Sequence, residues 1–310
     1  MPDSITDIGR RNALKKFLCM AAFPLLITNA EANDNDKRTM SPMPAGVKNL
    51  PKQLFDNTPL IPTKVADNLY CIGSMSVVSW VLNTSDGIIL IDSMWDNRDA
   101  QLIIDGLRKV DLNPEDIKMV MLTHGHGDHY GGAQYIKDKY NAKILMSERD
   151  FHFMNENNKG ANGPRSPKCK VDAYIHDGQK VKLGDTTITV IETPGHTPGC
   201  LSFIYPAREN GKTFMVGQWG GSGLPRTLEA KQAYRKSIDH FAEYTRANHV
   251  NVMVTAHLFS ENGYKKLDAC RSRKTAGANP FFVGEEGYSD YQNRLRVWVD
   301  KAISDQKKNS

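Results

Sequence analysis

The sequence predicts an α+β protein in which two β-rich halves pack face to face with helices outside, a four-layer αββα sandwich. Two observations carry that expectation. Clusters of short apolar strands followed by a helical segment occur twice in the same order, which suits two sheets sharing one core. No fixed period repeats along the 310 residues, which excludes a solenoid. Hydrophobic content of 40% and charged content of 24% are those of an ordinary globular protein. The net charge of +5 comes without a concentrated basic tract, which argues against nucleic acid as a partner and favours a small-molecule substrate.

Residues 1–32 read as an address. Arg10, Arg11, Lys15 and Lys16 precede an apolar run over 17–27 and the small-residue site Ala30-Glu31-Ala32. That order makes a bacterial export signal, and the paired arginines followed by leucine and lysine resemble the twin-arginine type. The apolar run is too short to span a bilayer. The expectation is cleavage after Ala32 and a periplasmic product without stable membrane association. A mobile, proline-bearing N-terminal segment over 33–55 then precedes one folded domain over 56–310. Cys71, Cys169, Cys200 and Cys270 remain, an even number that permits disulfides without fixing their pairing. None shows CxxC spacing, which disfavours a cysteine metal site.

Residues 63–65, 69–73, 76–83 and 87–91 are short β-rich runs between turn signals, and Asp92 closes the last. Residues 98–110 put Ile103, Leu107 and Val110 on one helical face. A buried strand over 119–123 leads into a histidine-rich loop and a helix ending at 140. Residues 143–146 read as a strand, 148–157 as a short helix and 158–170 as a loop rich in Gly, Pro, Asn and Lys. Residues 181–183 and 186–192 form a hairpin turning at Gly184-Asp185, with further strands over 201–205, 213–216 and 250–255 and a helix over 227–247. A C-terminal helix from about residue 286 places Tyr288, Tyr291, Leu295, Trp298 and Ala302 at three–four spacing, a stripe expected to face the core.

The chemistry concentrates in Thr123-His124-Gly125-His126-Gly127-Asp128-His129. Three histidines and a carboxylate in six residues, in a chain with only nine histidines, are ligands for a divalent transition metal, zinc above all. In an extended loop residues two apart point the same way, so His124 and His126 can grip one ion. Asp128 and His129, past the turn that Gly127 permits, can face a second. His196, in a turn framed by Pro194, Gly195 and Pro198, and His257, just after an apolar strand, occupy equivalent strand ends.

These residues carry a resemblance. The HxHxDH motif, the turn Gly195-His196-Thr197-Pro198-Gly199 and the late His257 look like the metallo-β-lactamase superfamily, over about residues 60–305. Residues 65–70, 88–92, 194–200 and 279–283 are similar to class B, subclass 3 β-lactamases. The resemblance implies the αββα metallo-β-lactamase fold and two zinc ions. His124, His126 and His196 would hold the first, and Asp128, His129 and His257 the second. Many hydrolases of that superfamily place a bridging aspartate where Gln218 and Trp219 stand here, and subclass 3 β-lactamases lack that bridge. Their usual serines for the substrate carboxylate have Ser222 as the nearest counterpart.

The chemistry expected of this set is hydrolysis. Two dications close together lower the pKa of a shared water, so hydroxide needs no separate strong base. Asp128 is the expected catalytic carboxylate, orienting that nucleophile, and the expected reaction is opening of a β-lactam ring. Trp219, Ser222, Phe151, His152 and Phe153 are the expected substrate contacts. Lactonase, thioesterase or phosphodiesterase activity is the alternative within the same chemistry. A non-catalytic metal-binding protein is the alternative outside it.

Overall fold

In the computed structural model, which describes residues 51–156, 166–274 and 277–309, period-two side-chain alternation sorts the strands into two sheets. The first takes β1 (Thr63–Ala66), β2 (Leu69–Gly73), β3 (Val78–Thr84), β4 (Gly87–Ile91), β5 (Ile117–Met121), β6 (Lys143–Met146) and β7 (Ala173–Tyr174), in sequence order. The second takes β8 (Lys180–Leu183), β9 (Thr186–Glu192), β10 (Leu201–Glu209), β11 (Lys212–Gln218) and β12 (Val250–Val254), again as sequence neighbours. Strands β1 to β4 pair antiparallel and β4 to β7 parallel; in the second sheet only β11 and β12 are parallel.

Parallel neighbours need crossovers, and helices supply most of them. α1 (Asn97–Lys109) joins β4 to β5; α2 (Gly127–Tyr130) and α3 (Ala133–Tyr140) join β5 to β6. α4 (Glu148–Glu156) follows β6, and α5 (Leu228–Ala247) joins β11 to β12. α6 (Gly263–Ser272) and α7 (Gly284–Lys308) complete the described chain. Helix α1 starts where Asp96 caps it, its carboxylate accepting from the amides of Arg98 and Asp99 at 2.9 and 3.1 Å.

Three apolar layers hold these parts together. Ile89 and Ile91 of β4 point into the seam between the sheets with Trp80, Val190, Phe203 and Val252. Ile88 and Leu90, on the opposite face of β4, pack under α1 and α3 with Ile103, Leu107 and Ile136. Ile204 and Met253 pack under α5 and α7 with Tyr234, Ile238, Tyr288 and Leu295. Helix, sheet, sheet, helix is the predicted αββα sandwich. Among the described residues no helix is long and apolar enough to cross a membrane.

The expected elements recur within a few residues at most positions, and the exceptions are instructive. The strand expected over 119–123 spans 117–121, so Leu122 and Thr123 already belong to the loop, although both stay buried. The histidine loop is not extended throughout: His126 is the residue before a helical turn, so Asp128 and His129 sit on α2. The stripe of α7 runs through Val299, 0% exposed, whereas Trp298 is 46% exposed and faces outward. Both lie within three to four residues of Leu295, and packing chose the fourth. α6 and the two-residue β7 had no expectation. Cys71, Cys169, Cys200 and Cys270 are buried and free, so the disulfides that their number permits are absent among the described residues. The expected export signal, residues 33–50 and most of 158–170 lie outside the described residues.

Candidate metal centre

The side chains that matter all emerge where strands end. β4 delivers Asp92, β5 delivers Thr123 to His129, β9 delivers His196 and β12 delivers His257. Crevices at the carboxyl ends of parallel strands are the natural place for a site in such sheets. Two links draw the ends of both sheets together: Leu201 N donates to Thr123 O at 2.8 Å, and Val78 N to Ala256 O at 2.9 Å.

The six predicted ligands fall into two groups. His124, His126 and His196 bring one ligand atom each within 4.8 Å of one another, and so do Asp128, His129 and His257. Within the first group His126 Nδ1 and His196 Nε2 are 2.9 Å apart. In the second, Asp128 Oδ2 lies 3.4 Å from His129 Nε2 and 3.5 Å from His257 Nε2.

Hydrogen bonds fix which ring nitrogens are free. His257 Nδ1 is 2.9 Å from Ser76 O, and His196 Nδ1 is 2.7 Å from Gly223 O. A carbonyl only accepts, so both Nδ1 atoms carry the proton and both Nε2 atoms keep a lone pair. Asp92 does the same for His129, its Oδ2 lying 2.7 Å from His129 Nδ1. Thr123 Oγ1 donates to Asp92 at 2.9 Å and so can accept only from His124 Nδ1, also at 2.9 Å. His124 Nε2 and His129 Nε2 are then buried side-chain nitrogens with no hydrogen-bond partner. Unpartnered buried polar atoms are rare and costly, and here there is one in each group. A divalent cation is the partner that this donor set fits.

The electrostatics of the two groups differ. Burial and then the neighbouring imidazoles push His124 well below its usual pKa. Burial and then His196 push His126 down to about 3, and burial pushes His196 down to about 4. All three are therefore neutral, the form that ligates. Burial opposes ionisation of Asp128, but His129 and His257 outweigh it and hold its pKa down. The first group is uncharged. In the second, burial opposes charging of His129, but Asp128 and Asp92 outweigh it and raise its pKa to about 10, so His129 gives up a proton when it ligates.

Two residues without a predicted role position these rings. Asp92 is fully buried and has φ +65°, a left-handed backbone that an aspartate holds only where its surroundings fix it. It accepts from the amide and hydroxyl of Thr123 as well as from His129. The sequence signal was an acid closing an apolar strand beside the histidine loop. Asp150, on α4 and also fully buried, accepts from Gly125 N at 2.8 Å and from Thr197 Oγ1 and Gly199 N at 2.6 Å. It thereby ties the loop of His124 and His126 to the turn of His196. Burial raises its pKa to about 6 despite those bonds. One of three acids in a mostly polar helix, it left no signal in the sequence.

Both groups lie in one cavity of about 1050 Å³, with Leu54 and Trp95 on one side and the 222–230 segment on the other. Ser222 lines it as expected. Trp219 does not: it is 3% exposed and donates from Nε1 to Gly221 O and Tyr234 Oη within the α5 layer. Phe151 packs against the layer under α1 and α3, His152 is exposed, and neither lines the cavity. Phe153 stands edge-on to the His126 ring at 5.6 Å. Gln218 turns away to accept from Tyr205 Oη at 2.8 Å.

Known proteins resemble this chain in sequence and fold. The family model of the Metallo-beta-lactamase superfamily matches residues 72–209. The solved structure of BJP-1, a subclass B3 metallo-beta-lactamase of Bradyrhizobium japonicum, is similar at 27% identity and a TM-score of 0.69, covering 82% of this chain and 97% of that one. FEZ-1 metallo-beta-lactamase from Legionella gormanii shares the fold at 24% identity and a TM-score of 0.69, covering 81% and 98%. Among curated proteins, hydroxyacylglutathione hydrolase GloC of Haemophilus influenzae is 29% identical over 41% of this chain and 63% of its own length. The chain spans less than two thirds of the length of the first curated relatives that it matches. A shared fold and the family match, with two His-rich groups where strand ends of both sheets meet, carry a single conclusion: residues 72–209 place this chain in the metallo-beta-lactamase superfamily, and it has the centre of a metal-dependent hydrolase.

Proposed function

We propose that the protein is a two-zinc hydrolase that opens the β-lactam ring of a substrate in the bacterial periplasm. The observation that carries this reading is the pair of three-residue groups, each with an unpartnered buried imidazole nitrogen, without an acid at Gln218 to bridge them. Likeness to a subclass B3 enzyme over most of the chain supports the substrate class. The basic and apolar stretch at 10–27 supports export, where β-lactams act.

Zinc in these groups would supply Lewis acidity, polarising a carbonyl and lowering the pKa of water. The chain's own residues do the rest. His124, His126 and His196 would hold one ion, and Asp128, His129 and His257 the other. Asp128, kept ionised by its two imidazole neighbours, accepts a hydrogen bond from the attacking water and fixes its direction. Ser222 offers a hydroxyl at the rim for the substrate carboxylate. Apolar side chains of Leu54 and Trp95 keep the opposite wall free of competing water.

A second reading is hydrolysis of a hydroxyacylglutathione thioester, favoured by the curated sequence relatives. One experiment separates them. Purified protein with two equivalents of zinc is assayed on a chromogenic cephalosporin and on a hydroxyacylglutathione thioester, with and without chelator. Chelator-sensitive opening of the cephalosporin supports the first reading. Turnover of the thioester alone would overturn it.

A further inference from the structure

Of the four tryptophans, Trp80, Trp95 and Trp219 are 0–3% exposed, whereas Trp298 is 46% exposed. It does not point into open solvent alone, because it lines the cavity that holds both histidine groups. Helix α7 runs antiparallel to α5 here, as Arg235 pairs with Asp300 and Lys231 Nζ donates to Gln306. The small Ala230 and Ala233 of α5 line the same cavity as the indole. On the side of the second group, Phe259 stacks on His257 with centroids 5.1 Å apart and an interplanar angle of 26°. Phe259, stacked on a ligand ring, and Trp298 therefore both face the one cavity. Arg226 borders it, and its guanidinium has no ion-pair partner among the described residues.

We propose that this arm of the cavity binds a bulky aryl-acyl substituent of the substrate, with Arg226 meeting an anionic group beside it. Three points favour that occupant. The cavity of about 1050 Å³ is at the top of the range of about 300–1,000 Å³ that drug-sized ligands fill, so it has room beyond a reacting ring. A rigid indole offers large apolar contact at little conformational cost, which is why tryptophan anchors binding sites. Phe259 and Trp298 line the same cavity as the second histidine group, so an acyl arm lying against them can stay attached to a carbonyl held there. The inference rests on the hydrolase reading for its relevance to substrate, but binding at the arm does not require turnover.

The test uses the zinc-loaded full chain and two fragments, N-phenylacetylglycine and N-acetylglycine. Iodide quenches exposed tryptophan, so quenching of this protein reports Trp298, and Trp298→Phe checks that assignment by abolishing it. Saturable protection from iodide by N-phenylacetylglycine, but not by N-acetylglycine at the same concentration, is the expected result. Ala233→Leu, which fills the arm from the other wall, is expected to weaken that protection about tenfold. Trp298→Ala is expected to lower about tenfold the preference in kcat/KM for a phenylacetyl over an acetyl substrate, on whichever scaffold, β-lactam or thioester, is turned over. Equal protection by both fragments, no protection, or an unchanged preference would overturn the proposal. Iodide access that falls with rising protein concentration would also overturn it, in favour of a second copy covering Trp298 and the exposed Val297. Protection without any hydrolysis would keep the arm and sink the hydrolase reading; hydrolysis without protection would do the reverse.

Discussion

The two histidine groups rest on two buried aspartates that work in different ways. Asp92 touches the rings themselves: it bonds His129 Nδ1 directly and reaches His124 through Thr123 Oγ1. Asp150 touches no ring. It grips the amides of Gly125 and Gly199 and the hydroxyl of Thr197, so it positions His124, His126 and His196 only through their backbone. The first kind of support alters both the orientation and the basicity of a ligand; the second fixes geometry alone. The difference teaches that one centre can be held electrostatically on one side and mechanically on the other.

Removing a ligand from either side tests the premise and carries the largest effect. His129→Ala and His196→Ala are each expected to bind one zinc ion per chain instead of two and to lose more than about 100-fold in activity, beyond the range typical of outer partners. Elemental analysis beside a rate assay checks it; two ions retained in either variant would break the comparison at its base. Next comes Asp92→Asn, which leaves an amide facing His129 and Thr123. Affinity for an ion at the Asp128–His129–His257 group is expected to fall by about 10- to 100-fold, and at the first group by less because His124 meets Asp92 only through Thr123, read as a split in stepwise zinc titrations. Equal weakening of both steps would show that the two supports are not separate.

Asp150→Asn should act on the other step. Its amide cannot accept from both sides, so a buried backbone donor loses its partner at about 1–3 kcal/mol. The expected outcome is a lower melting temperature and a weaker first-group ion with the second-group affinity little changed, as calorimetry would record. Ser222→Ala is expected to matter least. A rim hydroxyl contributes about 1 kcal/mol, so KM should rise several-fold with kcat nearly constant.

How much of this was legible before folding differs along the same lines. The six ligand positions were readable because four of them crowd one short motif and the other two follow apolar strands. The strands were readable because alternation fits a sheet with both faces covered. The expected extended loop turned out helical from Gly127, since sequence gives residue types at a strand end but not the backbone that carries them. Asp92 and Asp150 act through contacts with segments 25 to 49 residues away, and no local pattern encodes such partners. Trp219 and Trp298 exchanged their expected places for a similar reason. A glycine-rich flank made Trp219 resemble a loop residue, yet it closes the layer beneath α5; helical spacing made Trp298 resemble core, yet one step along the helix decided its exposure.

Each histidine group draws on both sheets, and that has a mechanical meaning. His124 and His126 follow β5 while His196 follows β9; Asp128 and His129 precede α3 while His257 follows β12. A bound ion is therefore a rivet through the seam, joining positions as far apart in the chain as Asp128 and His257. Because the ligands converge only when the sheets are docked, the free energy of holding the ion is added to the docking, about 2.7 kcal/mol for an ion present at a hundred times its Kd. Stripping the metal removes that contribution from the joint between the sheets, where the Val78–Ala256 link lies beside His257.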